Sequence, residues 1–177
     1  MKGQIKGYVE ASINSISDES LKKLYEEEIE KKISELRDMV LLPDGNVIWA
    51  NNVIKEINDK IDFTEIDVVY TTSSPYSAHI IGEYIKKEYS IPWIADFRDQ
   101  WVDNPYIDYN KDSLRYKLEK NMEKNIVFNC DRLIMVTPVI TENYISTYKI
   151  EKNKVITITN GYDEEAVSYT HLTLPTK

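Results

Sequence analysis

The spacing of apolar residues changes character near residue 67. Before it, the repeat is helical. From Ser17 to Val40, Leu21, Leu24, Tyr25, Ile29, Ile33, Leu36 and Val40 recur at the spacing of one helix face. Ser17 or Asp18 is placed to cap this helix, with acidic residues in its first turn. Glu26-Glu27-Glu28 and Lys31-Lys32 set up i,i+4 pairs on the wet face. That face is acidic at its centre, whereas a helix lying on a membrane usually shows a basic one, so packing against protein is expected. Leu42-Pro43-Asp44-Gly45-Asn46 has the composition of a turn. Val47 to Lys60 predicts a second helix, with Trp49, Val53, Ile54 and Ile57 on one side.

After Asp67 short apolar runs alternate with helical stretches. Strands are predicted at Asp67–Thr72, Ile91–Phe97, Arg132–Thr137 and Lys154–Thr159. Helices are predicted from the Ser74-Pro75 start to about Tyr89, over Asp112–Phe128 and over Val139–Tyr148. The near-continuous apolar character of the first strand suits a parallel sheet covered on both sides. The β-α-β-α-β-α-β order predicts an α/β fold: a Rossmann-like parallel sheet with helices on both faces. There is no internal repeat and no low-complexity linker.

Composition narrows the classes. A chain of 177 residues, 42% hydrophobic and 29% charged, suits one folded domain. A net charge of -8 argues against nucleic acid, whose phosphates demand clustered Lys and Arg. The single cysteine, Cys130, excludes an internal disulfide and fits a reducing compartment; it reads as a small buried residue. No apolar run is long enough to span a bilayer, and the opening residues lack the apolar core of a signal peptide. A cytoplasmic location is therefore expected. Outside the last eleven residues only His79 and Cys130 offer nitrogen or sulfur ligands, so no metal site is expected. No Gly-x-Ser-x-Gly elbow supports a serine hydrolase.

The candidate chemistry lies where strands end, because ligands of open parallel sheets bind outside the carboxyl ends of strands. Ser73-Ser74-Pro75-Tyr76-Ser77 follows the first strand and opens a helix, whose free N–H groups favour an anion or a hydroxyl. Plain capping explains Ser74 and Pro75 equally well. Asp96-Phe97-Arg98-Asp99-Gln100-Trp101 follows the second strand. Its charges form either a cleft or a structural Arg–carboxylate pair. Trp101 is either a flat platform for a sugar or part of the core. Asn160-Gly161-Tyr162-Asp163 is either a hinge, using the freedom of Gly161 to adopt positive φ, or an ordinary turn.

Three segments together, Ser-Ser-Pro-Tyr-Ser, Pro-Trp-Ile-Ala-Asp-Phe-Arg-Asp-Gln-Trp and Ile-Thr-Asn-Gly-Tyr-Asp, resemble the N-terminal domain of GT-B glycosyltransferases. The nearest group is the family-four retaining enzymes of bacterial surface polysaccharide synthesis. The resemblance runs from about Leu42 to Glu165. Tyr76 and Gln100 stand where the family pattern has proline. The resemblance implies transfer of a sugar from a nucleotide-sugar donor to a polysaccharide or lipid-linked acceptor, without a metal cofactor. Asp96 would be the catalytic carboxylate. Ser73, Ser74, Tyr76, Arg98, Asp99 and Trp101 would bind substrate, and Asn160 and Gly161 would form the hinge to a C-terminal domain. Peripheral contact with the inner membrane is also implied for the parent protein.

The resemblance divides the chain into an N-terminal helical segment (1–41), a partial Rossmann-like domain (42–165) and a tail (166–177). Nothing before Leu42 resembles the opening strand and Gly-rich loop of such a domain, so a truncated front is expected. Val167 to Lys177 resembles a translated sequencing adapter, the transposase mosaic end, which removes His171 as a candidate. A fragment of this kind is expected to be inactive alone. The alternative is a stand-alone Rossmann-type binding domain without catalysis.

Overall fold

The computed structural model describes residues 2–107, 109–161 and 163. The tail lies outside the described residues. Helices α1 (Lys2–Asn14), α2 (Glu19–Val40) and α3 (Val47–Glu56) come first. Strand β1 (Val69–Ser73), helix α4 (Ser77–Tyr89), β2 (Trp93–Phe97), α5 (Leu114–Asn129), β3 (Arg132–Met135), α6 (Pro138–Tyr148) and β4 (Val155–Thr157) then alternate. The second predicted helix ends early, at Glu56, and continues as a 3-10 turn over Ile57–Asp59. The caps follow local chemistry. Asp18 accepts from the N–H groups of Ser20 and Leu21, Ser113 from Tyr116, and Thr137 from Ile140 ahead of a proline in the first turn.

All four strands are parallel, in the order β1-β2-β3-β4. The fold is α/β, a Rossmann-like parallel sheet flanked by helices. Strand order follows chain order. Right-handed crossovers, the rule for parallel connections, then place every connecting helix on the same side. The contacts agree: His79 of α4 and Tyr144 of α6 both pack on the ring of Phe97. This covered face holds the main core, with Trp93, Ala95, Phe97, Leu133 and Met135 packed against Ile126, Val127 and Tyr144. A second cluster, Ala50, Ile57, Ile81, Ile85 and Ile91, joins α3 to α4. Gly82 lets α4 approach the sheet closely, since a Cβ there would collide with the Trp93 indole.

The opposite face carries Tyr70, Thr72, Ile94, Asp96, Arg132, Ile134 and Ile156, which share cross-strand rows. Among the described residues no helix covers it, and Tyr70 and Ile156 stay 55% and 45% exposed. The first strand is therefore buried on one side only. The apolar stripe of α2 is also open: Leu21, Leu24, Leu36 and Val40 are each more than half exposed. The helix forms as the periodicity predicts, but its apolar side does not pack as expected.

Candidate functional site

Strands β2 and β3 end side by side, with Phe97 paired to Met135. The chain leaves β2 through the segment 98–113 and leaves β3 through Val136 and Thr137 into α6. Residues of these two exits line a cleft of about 630 Å³. Arg98, Asp99, Gln100, Asn104 and Tyr106 form one wall; Thr137, Ile140 and Asn143 form the other. Asn160, just past β4, closes one end. The lining is rich in amides and hydroxyls, with an exposed tyrosine ring at the rim.

Asp96 faces the open side of the sheet and lines a separate, smaller recess of about 180 Å³ with Tyr70, Ile134, Ile158 and Gly161. Its Oδ2 accepts from the Tyr70 hydroxyl at 2.6 Å and from Thr72 Oγ1 at 2.9 Å. Partial burial and the neighbouring Asp96 carboxylate push the Tyr70 phenol up to about 12, so it stays a donor at neutral pH. Arg98 and Asn160 line both cavities, and Arg98 Nη2 donates to Asn160 Oδ1 at 3.4 Å where the two meet. Among the described residues Arg98 forms no ion pair with Asp96 or Asp99. The structural Arg–carboxylate pair is thus replaced by a neutral contact to Asn160. That contact ties two of the segments singled out in the sequence. Gly161 does not use positive φ, since none of the described glycines does.

The serine-rich segment is arranged differently from expectation. Helix α4 starts at Ser77, not after Ser74. Its cap is Asp44, 33 residues earlier, which accepts from Ser77 N–H at 3.0 Å and from Ser77 Oγ at 2.7 Å. The helix end that suits an anion is thus occupied by the protein's own carboxylate. Ser73 is buried and donates weakly to the Asp96 carbonyl at 3.4 Å, while Ser74 is exposed. Tyr76 stacks on Trp101 at 4.5 Å and donates to the Gln100 carbonyl. Trp101 is 1% exposed and lies in the main core, so it offers no free face to a sugar. Ser73, Tyr76 and Trp101 therefore stand behind the cleft and the exposed Ser74 is not among its lining, whereas Arg98 and Asp99 line it.

Several neighbours of the site were not found from sequence. Tyr70 and Thr72 precede the serine motif and reach Asp96 only because the register pairs Thr72 with Asp96. Thr137 and Asn143 fall at the end of a predicted strand and inside a predicted helix, positions that carry no site signal of their own. Glu119 and Glu123 fall inside the predicted 112–128 helix without a signal that sets them apart, yet both are buried. Among the described residues no three His, Cys, Asp or Glu side chains gather to hold a metal, and no helix is long and apolar enough to cross a membrane.

These features define an α/β domain whose cleft opens at the carboxyl ends of parallel strands, the place where such sheets bind small molecules. The chain belongs to Glycosyltransferase Family 4, whose sequence model matches residues 16–166. The match takes in α2 as well as the sheet. No curated protein matches this chain.

Proposed function

We propose that this chain serves the transfer of a sugar from a nucleotide-sugar donor to a polysaccharide or lipid-linked acceptor, with retention of configuration and without a metal. The observation that carries this reading is the amide- and hydroxyl-lined cleft at the ends of β2 and β3 in a family-four chain. Asn104, Asn143, Thr137 and Asp99 present donors and acceptors to sugar hydroxyls. Glycosyl transfer places positive charge on the sugar ring in the transition state. A fixed carboxylate stabilises such charge best when it need not reorganise. Asp96 is fixed in this way by Tyr70 and Thr72 through one oxygen, Oδ2. In the GT-B arrangement the nucleotide sits mainly on the second domain, so the prediction for this chain concerns the acceptor.

An isotope-labelled sample titrated with short oligosaccharides of bacterial surface glycans tests this. Amide signals of Thr137, Asn143 and Asn160 are expected to shift. Asn143→Ala should weaken binding about tenfold, worth about 1.4 kcal/mol, without altering the spectrum elsewhere. Silence towards every oligosaccharide, together with shifts caused by a free nucleotide, would favour a stand-alone nucleotide-binding domain instead.

A further inference from the structure

Helix α5 carries two carboxylates that neither solvent nor the cleft reaches. Glu119 is 0% exposed and Glu123 is 1% exposed. They share a helix face with Ile126 and Val127, which are core residues. Burying a carboxylate costs several kcal/mol unless it is well bonded, and apolar residues would fit that face without the cost. What the two carboxylates hold is the segment after β2. Glu119 Oε2 accepts from Trp101 Nε1 at 3.1 Å and from the Tyr109 hydroxyl at 2.7 Å. Arg115 Nε lies 2.7 Å from the other oxygen, Oε1. Glu123 accepts from the Tyr144 hydroxyl, whose oxygen accepts in turn from the Trp101 N–H at 3.3 Å. One step along α5, Lys120 and Tyr116 hold Asp103 at 2.7 and 3.0 Å.

The stretch between these anchors is the cleft wall itself. Asn104, Pro105 and Tyr106 line the cavity. Their own bonds are local: Tyr106 N–H to Asn104 Oδ1 at 3.0 Å, and Ile107 N–H to the Asn104 carbonyl at 3.1 Å. A polar wall whose bonds among the described residues are local keeps its shape through its flanks, and both flanks are fastened to α5. We propose that Glu119 and Glu123 are positioning residues that set the 98–111 segment as the acceptor-facing wall of the cleft. The acceptor-facing part of this assignment rests on the proposed glycosyl transfer; the anchoring does not.

Hydrogen exchange of the whole chain, read by peptide, tests it. Glu119→Leu removes the acceptor for Trp101 and Tyr109. Exchange over 98–111 should speed up by about tenfold or more, while β2 and β3 stay within about twofold of the parent chain. Glu119→Gln keeps an amide oxygen there and should recover most of the protection. A substitution that merely weakened the core would speed exchange evenly through the sheet, and that pattern overturns the proposal. Tyr109→Phe deletes one hydroxyl at the half-buried rim and leaves the core intact, so it guards against a Leu variant that fails to fold. It should produce a smaller rise, about threefold, confined to the same segment; unchanged exchange there overturns the proposal as well. The readout needs no ligand. A loosened wall in a chain that binds no oligosaccharide would therefore leave the anchoring intact and sink the transfer reading alone.

Discussion

His79 shows how much one side chain can report. The Trp93 indole N–H can only donate, and it donates to Thr71 Oγ1 at 2.8 Å. The same hydroxyl bonds His79 Nδ1, also at 2.8 Å. Nε2 is buried and has no hydrogen-bond partner among the described residues. Burial pushes the His79 pKa down from 6.5 to about 3. The folded chain therefore refuses a proton that the unfolded chain accepts below about pH 6.5. Stability from this residue is complete above that pH and is lost as pH falls towards 3. Urea unfolding at pH 7 and pH 5.5 should show the parent chain losing about 1 kcal/mol more than His79→Leu over that interval. Equal losses would mean that the ring is charged in the fold. The sequence singled out His79 only as a possible nitrogen ligand, and its neighbours on β1 and β2 pack it into the core.

At the scale of elements, the helix after β1 depends on a residue from a distant turn. Asp44→Ala removes both bonds to Ser77, and chemical denaturation should register a loss of about 1–2 kcal/mol. Asp44→Asn should recover part of it, because asparagine also caps. A loss near zero would mean that the Asp44 bonds to Ser77 do not stabilise α4. The contrast marks what the sequence could tell. Although the Ser113 and Thr137 caps themselves emerged only in the structure, elements whose signals lie within a few residues were legible: a Ser17 or Asp18 cap for α2, the helices at 112–128 and 139–148, and the four strands. So were the cleft positions of Arg98 and Asp99, because they follow a strand directly. Relations across more than twenty residues were not. Asp44 on Ser77, Tyr70 on Asp96 and Tyr144 on Glu123 arise from packing and register, and local composition carries no trace of either. Trp101 was ambiguous for the same reason, since Tyr76, 25 residues earlier, stacks on it.

Taken whole, the molecule has two apolar surfaces that its described residues leave uncovered: the stripe of α2 and the open face of the sheet. Exposed apolar area of this kind binds hydrophobic dyes. The chain should enhance the fluorescence of anilinonaphthalene sulfonate at neutral pH while retaining a cooperative unfolding transition. Ile156→Lys should reduce that signal and change stability by no more than about 0.5 kcal/mol, the range for surface positions. A collapse of the fold would instead assign Ile156 to a covered core. The one-way order of the strands carries a geometric consequence. Lengthening the sheet past β4 in the same sense would only add helices to the side already covered. Shielding Tyr70 and Ile156 by connecting helices requires the winding to reverse at the outer edge of β1. A reversal of winding opens a crevice between the two strands that diverge from it. That crevice would lie beside Ser73 and Tyr70, one strand away from Asp96, so the same event that closed the bare face would deepen the recess around the carboxylate.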